Sequence, residues 1–458
     1  MSDSAAVAAV LPGPITPPAP VPPDRELPFF GLLRAYRTNV LASWPSRAYE
    51  EWVLERPFFG RRRVLLNAPD AIRHVLVDAH DRYGRTPATI RMLRPLMGDG
   101  LLLSEGAAWR RQRRTLAPAF APRATAALAP HMRAAAEEAL DRLEDAARQG
   151  PVDLLAFAQG LALEIAGRAM FSLGMRRFGG ELRDLLLRYG RSGGVHFLDL
   201  VLPPGVVAPH DILRRRLGRR WMALVERIVA ARQDTRPQAG GAGDLLDLIL
   251  AARDPETGQG FTPAEVRDQV ATMLLAGHET TALALFWSCV LLAQAPAWQE
   301  SLASEAAAAG PEAAPERLVR TRAVVEEALR LYPPAFALGR MALAPDRVGG
   351  VHLRPGDVVV VAPWVLHRHR RLWQAPEAFD PRRFLAPAPP PERFAYLPFG
   401  AGPRVCIGAQ FALTEAVLVL AALLRRFRLE LATPRPVLPV TVLTTAPDHR
   451  PAFRLQLR

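Results

Sequence analysis

A short stretch near the C-terminal end, Phe399 to Gly408 (FGAGPRVCIG), restricts this chain more than any other. It holds one of only two cysteines and runs directly into an apolar stretch of helical period, Ala409 to Phe427. Gly400, Gly402 and Gly408 let the backbone turn tightly and come close to a flat ligand. Cys406 stands near the start of the helix that follows, where the helix dipole and Arg404 favour a thiolate. A lone thiolate suits haem iron better than zinc, which takes three or four protein ligands. The plainer reading is a buried free cysteine in a turn, because an unpaired cysteine is most often a small core residue.

The loop resembles the haem-binding loop of the cytochrome P450 haem-thiolate monooxygenases, whose pattern is F-x-x-G-x-R-x-C-x-G. Phe399, Gly402, Arg404, Cys406 and Gly408 match it. The resemblance implies haem b as cofactor, with Cys406 as the proximal iron ligand, Arg404 on a propionate, Phe399 packed beside the sulfur and Gly400 in the same cofactor loop. It also implies a mainly α fold, a large helical domain with a small β-rich N-terminal subdomain. The haem would lie between a long central helix and the Cys406 loop. The resemblance runs over nearly the whole chain, from about Arg34 onward.

The remaining sequence is compatible with that fold. Half of the 458 residues are hydrophobic, enough for one large core. Two cysteines exclude a disulfide framework and fit a reducing compartment. The formal charge is +13 and every basic side chain is Arg, a bias that reads as a GC-rich, bacterial genome. The arginines are dispersed and no nucleic-acid motif accompanies them, so an acidic protein partner fits better than nucleic acid. Residues 1–27 lack a basic start before an apolar core, so they are not a secretory signal. They are rich in proline (Pro12, Pro14, Pro17, Pro18, Pro20, Pro22, Pro23) and read as an extended or disordered arm ahead of one domain, 28–458. No run of about 20 apolar residues is free of charge and proline, so no membrane anchor is expected and the location reads as cytoplasmic.

Along the chain, Arg61–Leu66 reads as a strand and Pro69–Asp78 as a short helix. The segment 83–106 reads as irregular, and by the resemblance it caps the substrate pocket with Ile90, Met92 and Leu96; its apolar residues could equally plug the core. Trp109 and Arg113 share one helical face, and in the resembled family this W-x-x-x-R pair contacts a haem propionate. Taken alone, an arginine-rich helix is a solvated face. Helical period continues over 123–148, 152–173 and 208–232, with glycine breaks at 179–180 and 193–194 and a linker at 234–243.

Thr262, Pro263 and Glu265 form a capping box that opens a helix running to about Ala295. Within it, Gly277 permits close ligand approach, and Thr280 can bond back to the Ala276 carbonyl. Glu279 is an acid in an apolar run that needs a partner, water or a function; on a partly exposed face, both it and Thr280 would simply be tolerated. Ala276, Gly277, Glu279 and Thr280 match the family motif A-G-x-[DE]-T. The resemblance makes Glu279 and Thr280 the pair that supplies protons for cleavage of the oxygen–oxygen bond. His278 is read as facing away from the haem.

Glu327 and Arg330 match the family's E-x-x-R pair, with Arg383 of FDPRRF as the third member of a structural lock; PERF at 391–394 is the rival source. Arg382 stands where the family usually has Glu. By resemblance Ala335, Phe336 and Leu338 line the pocket, Arg340 contacts a propionate, His367 reaches the haem edge, and a turn near Thr444 enters the pocket. The reading is a monooxygenase that hydroxylates or epoxidises a hydrophobic small molecule with dioxygen. Two electrons would come from a ferredoxin or flavodoxin attracted by Arg110, Arg111 and Arg114, and no reductase is expected in the chain. A peroxide-driven peroxygenase and a non-catalytic haem sensor are the alternatives, and a monomer is the default state.

Overall fold

The computed structural model describes residues 11–58, 61–193, 196–202, 206–234, 244–441 and 443–458. The helices that frame the site are α1 (Pro87–Met97), α2 (Gly106–Leu116), α3 (Pro122–Gln149), α4 (Leu154–Phe171), α5 (Arg176–Gly193), α6 (Phe197–Val201), α7 (Pro209–Asp234), α8 (Pro263–Ala293), α9 (Val319–Leu331) and α10 (Ala409–Arg426). A five-stranded sheet carries β1 (Val53–Phe58), β2 (Arg61–Leu66), β3 (Tyr83–Gly84), β4 (Leu338–Ala342) and β5 (Val358–Val361), in the order β1-β2-β5-β4-β3. β2 runs parallel to β5 with Val64 opposite Val359, and β4 runs antiparallel to β5 with Arg340 opposite Val359. The sheet therefore joins the N-terminal region to the chain that leaves α9. Near the C-terminus, β6 (Phe427–Leu431) pairs with β9 (Phe453–Leu457), and β7 (Pro439–Thr441) pairs with β8 (Thr445–Pro447).

α8 is the axis of the helical region. Its start follows from the capping box: the Thr262 hydroxyl accepts the Glu265 amide at 3.3 Å, and the Glu265 carboxylate accepts the Thr262 amide at 2.9 Å. Its 31 residues are buried at most positions from Val266 to Leu292, and a helix apolar on every side belongs in a core. α4 and α8 are long and apolar enough to cross a membrane, but 72% and 78% of those windows are buried inside the fold, where the two helices pack on each other.

Several expectations need correction. Of the two readings of the proline-rich segment, extended or disordered, the first holds from residue 11 onward, but the segment lies along the body and is not a free arm. Ile15 exchanges backbone hydrogen bonds with Phe379, and the Pro23 carbonyl accepts the Ser46 amide at 2.8 Å. A chain short of N–H donors still offers carbonyls to its neighbours. Residues 1–10 lie outside the described residues. The segment 83–106 contains helix α1, begun by Thr86, whose hydroxyl accepts the Thr89 amide at 3.2 Å, and by Pro87 at the first helical position; Pro95 in its last turn hides the pattern. Gly179 and Gly180 lie inside α5, where buried Leu182, Leu185 and Tyr189 hold the helix against its neighbours. The linker expected at 234–243 and part of the break at 193–194 fall outside the described residues.

The lock is assembled at the end of α9. Arg330 is fully buried and places all five of its N–H donors. Its Nε and Nη2 bind Glu327 at 2.7 and 2.8 Å, and its remaining donors reach the carbonyls of His367, Pro376 and Ala378 at 2.7–2.8 Å. Arg383 lies 3.4 Å from the Glu327 carboxylate, while the rival Arg393 is exposed. Arg382 turns outward and pairs with Asp380 at 2.7 Å. Glu327→Ala should leave Arg330 and Arg383 buried without their shared counter-charge. We expect unfolding free energy, measured by urea titration, to fall by roughly 3–5 kcal/mol; an unchanged midpoint would show that the lock is not stabilising.

Candidate active site

The Cys406 loop is shaped by glycines. Gly400 and Gly402 have φ of 72° and 73°, the left-handed region that favours glycine. A Cβ on Gly402 would lie 1.9 Å from the Leu76 carbonyl oxygen, so that position accepts no side chain. The Cys406 amide donates to the Phe399 carbonyl at 2.9 Å and closes the loop. Cys406 is exposed as a residue, but its thiol has protein around it on most sides. Burial raises its pKa, against weaker lowering by the Gly408 amide and by Arg113. The expectation that Arg404 favours a thiolate is therefore corrected. Burial outweighs the local field, and the cation that acts on the sulfur is Arg113.

Arg404 points elsewhere. It donates to Glu105 at 2.6 Å and to the Ser104 carbonyl at 3.1 Å, and its guanidinium lies over the Trp109 ring at 4.4 Å from the centroid. Arg85 and Arg340 join it. Burial and mutual repulsion lower the pKa of Arg85 to about 9 and of Arg340 to about 10, and burial lowers that of Arg404. Among the described residues, Glu105 is the acid that opposes these three cations, and the buried Arg85 Nε has no hydrogen-bond partner. Such a cluster is incomplete without further negative charge and suits a ligand carrying carboxylates. Arg85 is missed by sequence reading, because it precedes the Thr86 cap in a segment read as loop. Trp109 and Arg113 divide their tasks, one beneath Arg404 and the other beside Cys406.

On α8, Ala276 is exposed although residues 266 and 268–275 before it are buried, so the helix backbone is open there. The Thr280 hydroxyl donates to the Ala276 carbonyl at 2.6 Å. A Cβ on Gly277 would meet only Met170 Cε, at 4.0 Å; the protein itself does not crowd this position, and the space suits a ligand. Glu279 accepts the Thr444 hydroxyl at 3.0 Å, and burial raises its pKa against that hydrogen bond. Ile407, next to Cys406, packs on an apolar cluster to which Leu116 of α2 and Leu274 and Leu275 of α8 all contribute. His278 is buried, its Nδ1 has no hydrogen-bond partner among the described residues, and burial, aided by Arg183, lowers its pKa to about 4. It is a neutral core histidine.

The remaining expectations divide. Ile90 and Met92 are partly exposed on α1, but Leu96 is 1% exposed within the core cluster of Trp221; it is a packing residue, because its turn of α1 faces the core. Ala335 is exposed, and Phe336 and Leu338 are half-buried on the approach to Arg340. His367 cannot reach a ligand edge. Its Nδ1 donates to the Arg330 carbonyl at 3.1 Å, its Nε2 accepts the Leu397 amide at 2.8 Å, and burial holds its pKa near 3.

Residues 20–449 match the family model described as Cytochrome P450. The chain is 34% identical to cyclooctatin synthase of Streptomyces melanosporofaciens, over 81% of each chain. It is 31% identical to cyclooctat-9-en-7-ol 5-monooxygenase of the same organism, over 91% of this chain and 93% of the relative. A cytokinin hydroxylase of Arabidopsis thaliana is 30% identical over 84% of this chain and 78% of its own. The crystal structure of the cytochrome P450DA heme domain superposes with a TM-score of 0.81 at 26% identity, covering 97% of this chain and 99% of that one.

Because the His278 pKa is depressed, its contribution to stability is complete above the ordinary value of 6.5 and is lost as pH falls toward about 4, where the unfolded chain takes up a proton that the folded chain refuses. His278→Gln should remove up to about 3 kcal/mol of that acid destabilisation. Unfolding free energies at pH 7 and pH 4.5 test this, and an identical difference in both proteins would contradict it.

Proposed function

The chain belongs to the cytochrome P450 family and is a haem-dependent monooxygenase, and from that premise we propose how its residues divide the work. The observation that carries the reading is the Cys406 loop set among Arg85, Arg340 and Arg404, a group of buried cations short of negative charge. These residues fit haem b. Cys406 would ligate the iron, Arg85, Arg340 and Arg404 with Trp109 would hold the propionates, and Phe399, Gly400 and Gly408 would shape the loop beneath the ring. Ala276 and Gly277 would face the ring from α8. Arg113, which acts on Cys406, supports the charge of the thiolate. Haem, when bound, supplies the activation of dioxygen.

The chain's own residues supply the protons. Burial raises the pKa of Glu279 above that of an ordinary carboxyl, against the Thr444 hydrogen bond, a direction that suits a proton-exchanging acid. The Thr280 hydroxyl, bonded to the Ala276 carbonyl, occupies the open stretch of α8 where a proton would be passed. Ile90, Met92, Ala335, Phe336 and Leu338 would line the substrate side, and we read the substrate as a hydrophobic molecule of terpenoid or lipid-like character. The printed name of one relative, cyclooctat-9-en-7-ol 5-monooxygenase, is in keeping with this.

Electrons come from a redox partner, for which we propose a ferredoxin or flavodoxin docking on the Cys406 side of a cytoplasmic monomer. Of the three arginines expected to attract it, Arg111 is engaged with Glu265 and Arg114 with Asp254 and Glu256. The exposed Arg110 is the one available for steering.

The dithionite-reduced protein under carbon monoxide should show the strongly red-shifted Soret band of thiolate ligation, and Cys406→Ser should lose it. A band typical of histidine-ligated haem in the wild type would overturn the ligand assignment.

A further inference from the structure

We propose that Thr444 is the positioning residue for Glu279, its hydroxyl fixing the orientation in which that carboxyl exchanges protons with the site. The proposal rests on the preceding reading of Glu279 as the proton-handling acid. Among the described residues, Thr444 is the side chain that hydrogen-bonds the Glu279 carboxyl, at 3.0 Å. It comes from the turn between β7 and β8, 165 residues along the chain. The backbone of α8 itself cannot do this, because the N–H groups of a helix interior are already spent on carbonyls one turn back.

The hydroxyl is delivered by a rigid support. Its neighbour Thr445 is fully buried and tied on three sides. The Thr445 amide donates to the Pro334 carbonyl at 3.1 Å, its hydroxyl donates to the Pro333 carbonyl at 2.6 Å, and its carbonyl accepts Trp287 Nε1 at 2.9 Å. Trp287 lies seven residues after Thr280 on α8, two turns along on a similar face, and stacks on Tyr332 with centroids 4.1 Å apart. The turn is thus fastened to the same helix whose acid it meets. A hydroxyl both donates and accepts, so Thr444 can hold Glu279 in its charged and neutral forms alike. That is what a group passing a proton requires of its support.

The test compares haem-loaded wild type with Thr444→Val, Thr444→Ser and Glu279→Gln. Infrared difference spectra between wild type and Glu279→Gln identify the carboxyl band of Glu279. Thr444→Val, nearly isosteric but without the hydroxyl, should shift that band, and Thr444→Ser should restore it, with the carbon monoxide spectrum unchanged as a control for folding. With a reduced ferredoxin as donor and no added substrate, electron consumption should slow roughly three- to tenfold in Thr444→Val, the size of one hydrogen bond, and recover in Thr444→Ser. An unshifted band in Thr444→Val overturns the proposal. If Glu279→Gln slows electron consumption while Thr444→Val does not, the positioning role fails and the role of Glu279 stands. If Glu279→Gln itself has no effect, the underlying reading of the acid fails.

Discussion

The guanidinium of Arg330 is the point from which the cysteine side of the site hangs. Its five donors are consumed by Glu327 and by three carbonyls of the chain between β5 and the Cys406 loop. In the same place the Arg330 carbonyl accepts the ring N–H of His367, whose other nitrogen accepts the Leu397 amide. Leu397 lies two residues before Phe399, and the Phe399 carbonyl accepts the Cys406 amide. A continuous set of hydrogen bonds thus runs from α9 to the sulfur-bearing loop. Burying an ion pair this completely is costly, and its return is a single allowed geometry. A meandering segment with little regular secondary structure gains from that.

Two electrostatic imbalances of opposite sign lie at the site. Around the cysteine loop, Arg85, Arg340 and Arg404 are buried with Glu105 as their opposing acid. On α8, Glu279 is buried with a neutral hydroxyl in place of a cation. A fold selected for stability alone would neutralise both, and local conflict of this kind concentrates where function requires it. The first imbalance calls for an anionic ligand. The second favours the neutral form of the carboxyl more than water would.

Much of this is legible in the sequence where the pattern is local. The FGAGPRVCIG loop, the capping box at Thr262 and the E-x-x-R pair each lie within one turn or one helix, so spacing alone exposes them. Helix α1 is obscured because Pro95 sits in its last turn, and Gly179 and Gly180 read as a break that tertiary packing overrides. The direction of the Cys406 shift is misread for another reason. Sequence shows the nearby arginines but not the burial, and burial is the larger effect. Likewise, Arg111 and Arg114 look like free surface charge until Glu265 and Asp254 are brought to them from more than a hundred residues away.

The partner of Glu279 belongs to the same class of invisible contact, and it joins the two sides of the site. The chain leaving α9 passes through Pro333 and Pro334, whose carbonyls hold Thr445. Thr445 fixes the turn that offers Thr444 to the acid. From the end of one helix, then, one path runs through Arg330 and His367 to the cysteine loop, and another through Pro333 and Thr445 to Glu279. Anything that displaced the end of α9 would move the Cys406 loop and Glu279 together. A stiff, fully buried Glu–Arg pair at that point is what keeps the two in register.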